Sequence, residues 1–384
     1  MTHLHSPPRS ADSSVASNPK GPFYGRRVVL NVRNSVVSAT GVTAVLALLV
    51  TLTVAALPLR GGAALAVNYH LARTFALPGD GGWDYLSYDP VGKRLFVSRG
   101  TRVMVIDPAL GTVLTEIPDT PGVHGIALAQ DLGKGYTSNG RDNSVSVFDL
   151  ATLKTTGKVT IDAKNPDAIV YDPASKRVFT GNGGSGNITA IDATTNTVVG
   201  NVALPGRPEF GAAGNGMVYF NIEDKNEVVA IDARKNTLVN TWPLGSCDGP
   251  SGLSIDAAHH RLFSGCHNKV MMVVNSDNGA IVATLPIGQG TDATAFDPGS
   301  QLAFSSNGDG TLTVAREDAP GAVAVVQNAT TRAGARTLAV DTNTHDVYLV
   351  TAQFTLGTPP PGQTRPSRTM VPGSFTLLVM SNHP

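Results

Sequence analysis

Cysteine is nearly absent from this chain, with two residues in 384, which excludes a disulfide-dense mini-domain. Charge is sparse at 15%, and 29 Lys plus Arg balance 29 Asp plus Glu. An acidic or basic disordered tail is thereby excluded. Aromatics reach only 6%, with two tryptophans, Trp83 and Trp242, too few for the repeated tryptophans that quinoprotein blades share. A single long apolar run rules out a polytopic membrane protein. No 3.6-residue periodicity persists beyond a turn or so. The chain does have 41 glycines set among many Val, Thr and Asp residues. That is the composition of short strands and tight turns.

The apolar run, Val42 to Leu59, follows Arg26, Arg27 and Arg33 and precedes Ala64-Leu65-Ala66. Basic, apolar and small residues in that order read as a secretory signal over 1–66. An uncleaved membrane anchor is the alternative, because 18 residues is near the lower limit for spanning a bilayer. Either way the remainder is expected to be periplasmic or secreted. The segment holds six of the 29 basic residues and one of the 29 acids, so the rest carries a net charge of about −5. An acidic body gains nothing from counterion release on phosphates.

From residue 80 onward the chain repeats every 42 or so residues. One run recurs as Arg94-Leu95-Phe96-Val97-Ser98, Arg177-Val178-Phe179-Thr180, Arg261-Leu262-Phe263-Ser264 and Val347-Tyr348-Leu349-Val350. The next ends in an acidic turn at Asp107, Asp149, Asp192 and Asp232, spaced 42, 43 and 40 residues apart, and continues at Asn275. Four strands in such a period make a propeller blade. Starts near 80, 121, 164, 207, 247, 290 and 333 predict an all-β, seven-bladed β-propeller over 67–384. The seventh blade has three strands of its own. Leu71–Leu77 is expected to supply the fourth and close the ring. An insertion at 353–373, rich in proline, is either a solvated loop or a partly stiff lid.

Arg177-Val178-Phe179-Thr180-Gly181-Asn182, leading to Ile188-Thr189-Ala190-Ile191-Asp192 and Thr197-Val198-Val199, resembles the YVTN-repeat β-propeller family. Its exported bacterial members are called YncE-like. The resemblance covers roughly 71–384 and implies the fold. It implies little about function, because the family includes surface-layer, single-stranded-DNA-binding and uncharacterised periplasmic proteins. Two blades depart from the pattern: Gly211–Gly216 replaces an Asp-Pro turn, and Val314-Ala315-Arg316 stands where Ile-Asp is expected.

The inner strand of each blade lines the central channel, and ligands usually bind at the face where those strands begin. Counting back from the turn that ends each inner strand selects Asp84, His124, Asp167, Glu209, Ser251, Asp292 and Arg336. These are polar either because the mouth touches water or because they form a ligand site. Crowded carboxylates favour a bound cation or amine, and Arg336 would anchor a carboxylate or phosphate. No spacing of ligands confirms a metal site, and the cofactor stays open. His259, His260 and His345 are placed in solvated turns on the opposite face, and His267 beside Cys266 on the ligand face. Cys247 and Cys266 fall at one hairpin end and are read as a disulfide, with free thiols or a copper-type site including His267 as alternatives.

There is no Cys-x-x-Cys, no nucleophile elbow and no phosphate-binding glycine loop leading into a helix. A non-enzymatic exported scaffold binding a small ligand or an envelope protein is therefore the first expectation. A metal-assisted lyase or lactonase-like enzyme, with His124 or Glu209 handling a proton, is the second. Single-strand nucleic-acid binding comes third, disfavoured by acidity and scarce aromatics.

Overall fold

The computed structural model describes residues 67–359 and 366–383. Residues 1–66, expected to be a signal or anchor, the proline-rich centre of the insertion, 360–365, and Pro384 lie outside the described residues. Seven four-stranded antiparallel sheets form the blades of a β-propeller. In blade three, Pro166–Asp172 is innermost, followed outwards by Arg177–Asn182, Asn187–Asp192 and Thr197–Ala203. Among the described residues, no helix is long and apolar enough to cross a membrane. The seventh sheet runs Leu338–Val340, Val347–Thr351, Thr376–Ser381 and then His70–Ala76. The N-terminal strand pairs antiparallel with the C-terminal one, from His70 opposite Ser381 to Ala76 opposite Thr376. The ring closes as the sequence predicts.

The acidic turns that carry the repeat are structural. Asp192 Oδ1 accepts the backbone N–H of Thr194 (2.7 Å) and Thr195 (3.1 Å), and Asp232 does the same for Arg234 and Lys235. Asn275 continues the series because its Oδ1 accepts equally well, from Asp277 and Asn278. In blade six Arg316 stands at that position, and the third strand runs on over Thr311–Ala319 and pairs with Ala322–Thr330. In blade four, Asn215 (φ 55°) and Gly216 (φ 78°) make the tight hairpin that replaces the Asp-Pro turn.

Second and third strands are sandwiched between blades and buried on both faces, so they read as continuous apolar runs rather than alternating ones. The core consists of seven interblade clusters. Phe96 and Val105 of blade one meet Ile126 and Phe148 of blade two, and Leu95 and Met104 meet Tyr348 and Leu377 across the closure. A buried asparagine ends several second strands. Asn182 Nδ2 donates to Asn187 Oδ1 and Thr189 Oγ1, both at 2.9 Å, while Asn139 donates to the Ser144 and Ser146 hydroxyls and Asn307 to those of Thr311 and Thr313.

In blade five that position is Cys266, which is bonded to Cys247. The pair is placed to form the disulfide expected from the sequence. The insertion begins as a hairpin, Phe354–Leu356 against Arg368–Met370. Its base packs on the entry to blade one, with the Arg368 guanidinium 4.3 Å from the Phe354 ring and Phe354 beside Trp83.

Candidate functional site

Asp167, His124, Glu209, Ser251 and Asp292 each hold the second position of an inner strand, and Asp84 and Arg336 stand just ahead of theirs. Neighbouring blades fix these positions. The Ser138 hydroxyl donates to the Asp167 carbonyl, Asn221 Nδ2 to the Ser251 carbonyl (2.8 Å) and Ser306 to the Arg336 carbonyl (2.6 Å). Blades approach so closely here that a Cβ at Gly125 would lie 2.6 Å from Ile169 Cγ2, and one at Gly252 would lie 2.5 Å from the Thr294 nitrogen.

His124 Nδ1 lies 2.7 Å from Asp84 Oδ2 and 3.6 Å from Asp167 Oδ1. One donor atom from each of the three residues falls within 4.8 Å of the others. Gly140 makes room for the imidazole: a Cβ there would sit 3.0 Å from His124 Nε2 and 2.6 Å from Asn165 Oδ1. Across the mouth, Arg336 Nε lies 3.1 Å from Asp292 Oδ2. Ser251 is 3% exposed and turns its hydroxyl to Asp292 Oδ1, so it braces the mouth instead of facing a ligand.

The electrostatics follow from crowding. Burial pushes the Glu209 carboxyl up to about 8; Asp167, Asp292 and Asp84 add to the rise and Arg207 opposes it. Asp167 is raised to about 6, chiefly by burial, with His124 pulling the other way. Burial also raises Asp292 against the pull of Arg336. For His124, burial opposes the charged form, but the hydrogen bond to Asp84 and the charges of Asp167, Asp84 and Glu209 prevail and hold it at about 9.

The floor of the mouth is not evident from the acidic positions alone. Tyr85 and Phe210, from blades one and four, stack across the channel with ring centroids 4.1 Å apart. The equivalent positions elsewhere are Gly125, Ala168, Gly252, Ala293 and Thr337, so two aromatics among small residues are the sequence signal for a plug. The Tyr85 hydroxyl is buried without a hydrogen-bond partner among the described residues, in the field of Asp167, Asp84, Glu209 and Asp292. Beyond the plug lies a cavity of about 420 Å³ lined by Leu86, Ile126, Leu128, Ile169, Ala212 and Leu338 among others.

Arg207 and Glu223 also belong to this face. They form an ion pair, and Glu223 Oε1 lies 3.8 Å from His267 Nδ1. Neither occupies the counted position: Arg207 sits in a loop and Glu223 opens the 3-10 turn Glu223–Lys225. His259, His260 and His345 lie on the other side, partly exposed, and each is paired through Nδ1 with a carboxylate: Asp256, Asp277 and Asp297.

No family model matches the chain, and no curated protein matches it. Solved structures do. Hydrazine synthase of Kuenenia stuttgartiensis is 14% identical with a TM-score of 0.63, over 71% of this chain and 94% of that one. The WD40 repeats of RRP9 are 9% identical at 0.67, covering 82% and 99%, and U3-55K is 9% identical at 0.66, covering 81% and 99%. At such identities the likeness is one of fold alone.

Proposed function

We propose that this β-propeller is an exported, non-enzymatic scaffold of the YVTN-repeat kind that captures a positively charged ligand or protein segment at its acidic mouth. The carrying observation is convergence: four carboxyls from four blades meet at one mouth above a closed aromatic floor. Two of them are held partly protonated near neutrality by burial and mutual repulsion, a penalty that an incoming cation would relieve. The buried asparagines of blades two, three and six support the YVTN-type reading, because that residue ends the motif and zips the second strand to the third. The Cys247–Cys266 bond supports an oxidising compartment, in line with the order of basic, apolar and small residues over 1–66.

Titration calorimetry of the full chain with a hexalysine peptide, in the presence of chelator, tests the reading. We expect saturable one-to-one binding that weakens with salt and falls roughly tenfold in Asp167→Ala. Absence of binding, or binding indifferent to Asp167→Ala and Glu209→Gln alike, would remove the cationic-ligand reading.

An enzyme is the second reading, favoured by one observation: His124 held at about 9 and Glu209 at about 8 put two proton donors within one mouth. Turnover of a panel of lactones that is lost in Glu209→Gln would support it. Acidity at this mouth repels phosphates and leaves single-strand nucleic acid without a site there.

A further inference from the structure

The geometry points to a binding site for one divalent first-row transition-metal ion at Asp84, His124 and Asp167, on one side of the acidic mouth. The inference rests on, and sharpens, the cationic reading of that mouth. Three observations carry it.

Donor geometry comes first. Ions of this class hold carboxylate oxygen and imidazole nitrogen at about 2.0–2.2 Å, which sets neighbouring ligand atoms roughly 3.0–3.5 Å apart. His124 Nδ1 is 2.7 Å from one carboxylate and 3.6 Å from the other, and all three donors lie within 4.8 Å. An ion at their centre needs small adjustments and displaces to solvent the proton that His124 Nδ1 shares with Asp84. The three residues come from consecutive blades, so the triangle is set by the radius of the propeller and not by a flexible loop.

Orientation is the second. The imidazole is lodged by its Nε2 edge in the space that Gly140 leaves open, which turns Nδ1 to both carboxylates. The backbone of Asp167 is pinned by Ser138, itself bonded to the Gly125 N–H. A ligand set braced from behind in this way is what a metal site requires.

The third is Tyr85. Its side chain is 8% exposed, and its hydroxyl has no hydrogen-bond partner among the described residues although it sits among the carboxylates. A buried phenol without a partner is costly. A water or carboxylate carried by the ion on its open side would accept that hydrogen. One imidazole and two carboxylates suit Zn²⁺, Mn²⁺, Fe²⁺ or Co²⁺; a site for Mg²⁺ or Ca²⁺ would be all oxygen, and one for Cu⁺ would hold thiolate or thioether.

Equilibrium dialysis of the chelator-stripped full chain against Zn²⁺ and Co²⁺ tests this. The expected result is one ion per chain at low micromolar dissociation constant or tighter, with a visible absorption band for bound Co²⁺. His124→Ala, Asp84→Asn and Asp167→Asn should each weaken binding roughly 100-fold, Tyr85→Phe by less than about tenfold, and Arg336→Ala by less than about threefold. Circular dichroism confirms that each variant is folded. An ion that fails to bind, or that stays bound in the folded His124, Asp84 and Asp167 variants, overturns the site. If Zn²⁺ fails while hexalysine binds in a Glu209-dependent manner, the metal inference falls and the cationic mouth stands. If neither probe binds, both fall.

Discussion

At the scale of single residues, Glu209 decides how the mouth responds to pH. Its carboxyl is lifted from an ordinary 4.5 to about 8, first by burial and then by Asp167. The folded state therefore holds a proton that the unfolded chain gives up, and this group lowers stability progressively as pH rises from about 4.5 to about 8. Glu209→Gln removes that loss. Urea unfolding at pH 5 and pH 8.5 should show the variant closer to, or above, wild type at the higher pH; equal slopes would contradict the crowding. Gly140 makes a different prediction. An alanine Cβ would meet the side-chain ends of His124 and Asn165 and no backbone, so Gly140→Ala should cost only about 1 kcal/mol of stability while displacing the imidazole from Asp84. The His124 side-chain resonances report the displacement, and their constancy would show that the glycine is not a wedge. Most of the mouth could be read from the repeat, because one count selects one residue per blade. Tyr85 and Phe210 stand one position further on, where the polar count passes over them. Arg207 and Glu223 escape it because a loop and a 3-10 turn share no register with the strands.

Strands and turns were the most legible part. Val178, Phe179 and Ile191 are fully buried, and the turns close on Asp192 and Asp232 as side-chain acceptors, so a fixed period writes itself into the sequence. What the period hides is the role of the residue that ends the second strand. Asn182→Ala leaves Asn187 and Thr189 without their shared donor inside the blade and should cost about 1–3 kcal/mol by chemical denaturation. A neutral result would mean that water replaces the amide. Where Cys266 takes that place, a covalent link does the work of two hydrogen bonds. Replacing both Cys247 and Cys266 with serine should lower stability by about 3 kcal/mol, given a sequence separation of 19 residues. An unchanged unfolding midpoint would make the bond dispensable. The hairpin at Phe354–Leu356 and Arg368–Met370 was illegible because prolines and glycines dominate the segment around it.

For the whole molecule, closure is the governing contact. Leu377 and Val379 of the C-terminal strand lie in the same buried cluster as Leu95 and Met104 of blade one, and His70–Ala76 covers their outer edge. Deleting 67–77 would leave that edge unpaired, and the shortened protein is expected to self-associate and to be cut by protease in blade seven first. A monomer as resistant as the intact chain would show that the outer strand is ornamental. The same pairing governs timing. Asn68 N–H reaches Asn382 Oδ1, 314 positions along the chain. The outer strand of the last blade is thus synthesised first and seated last, after every other strand has been made. Until Thr376–Ser381 emerges, the first strand of the nascent propeller stays unpaired, and the ring locks in one late step that no earlier blade can anticipate.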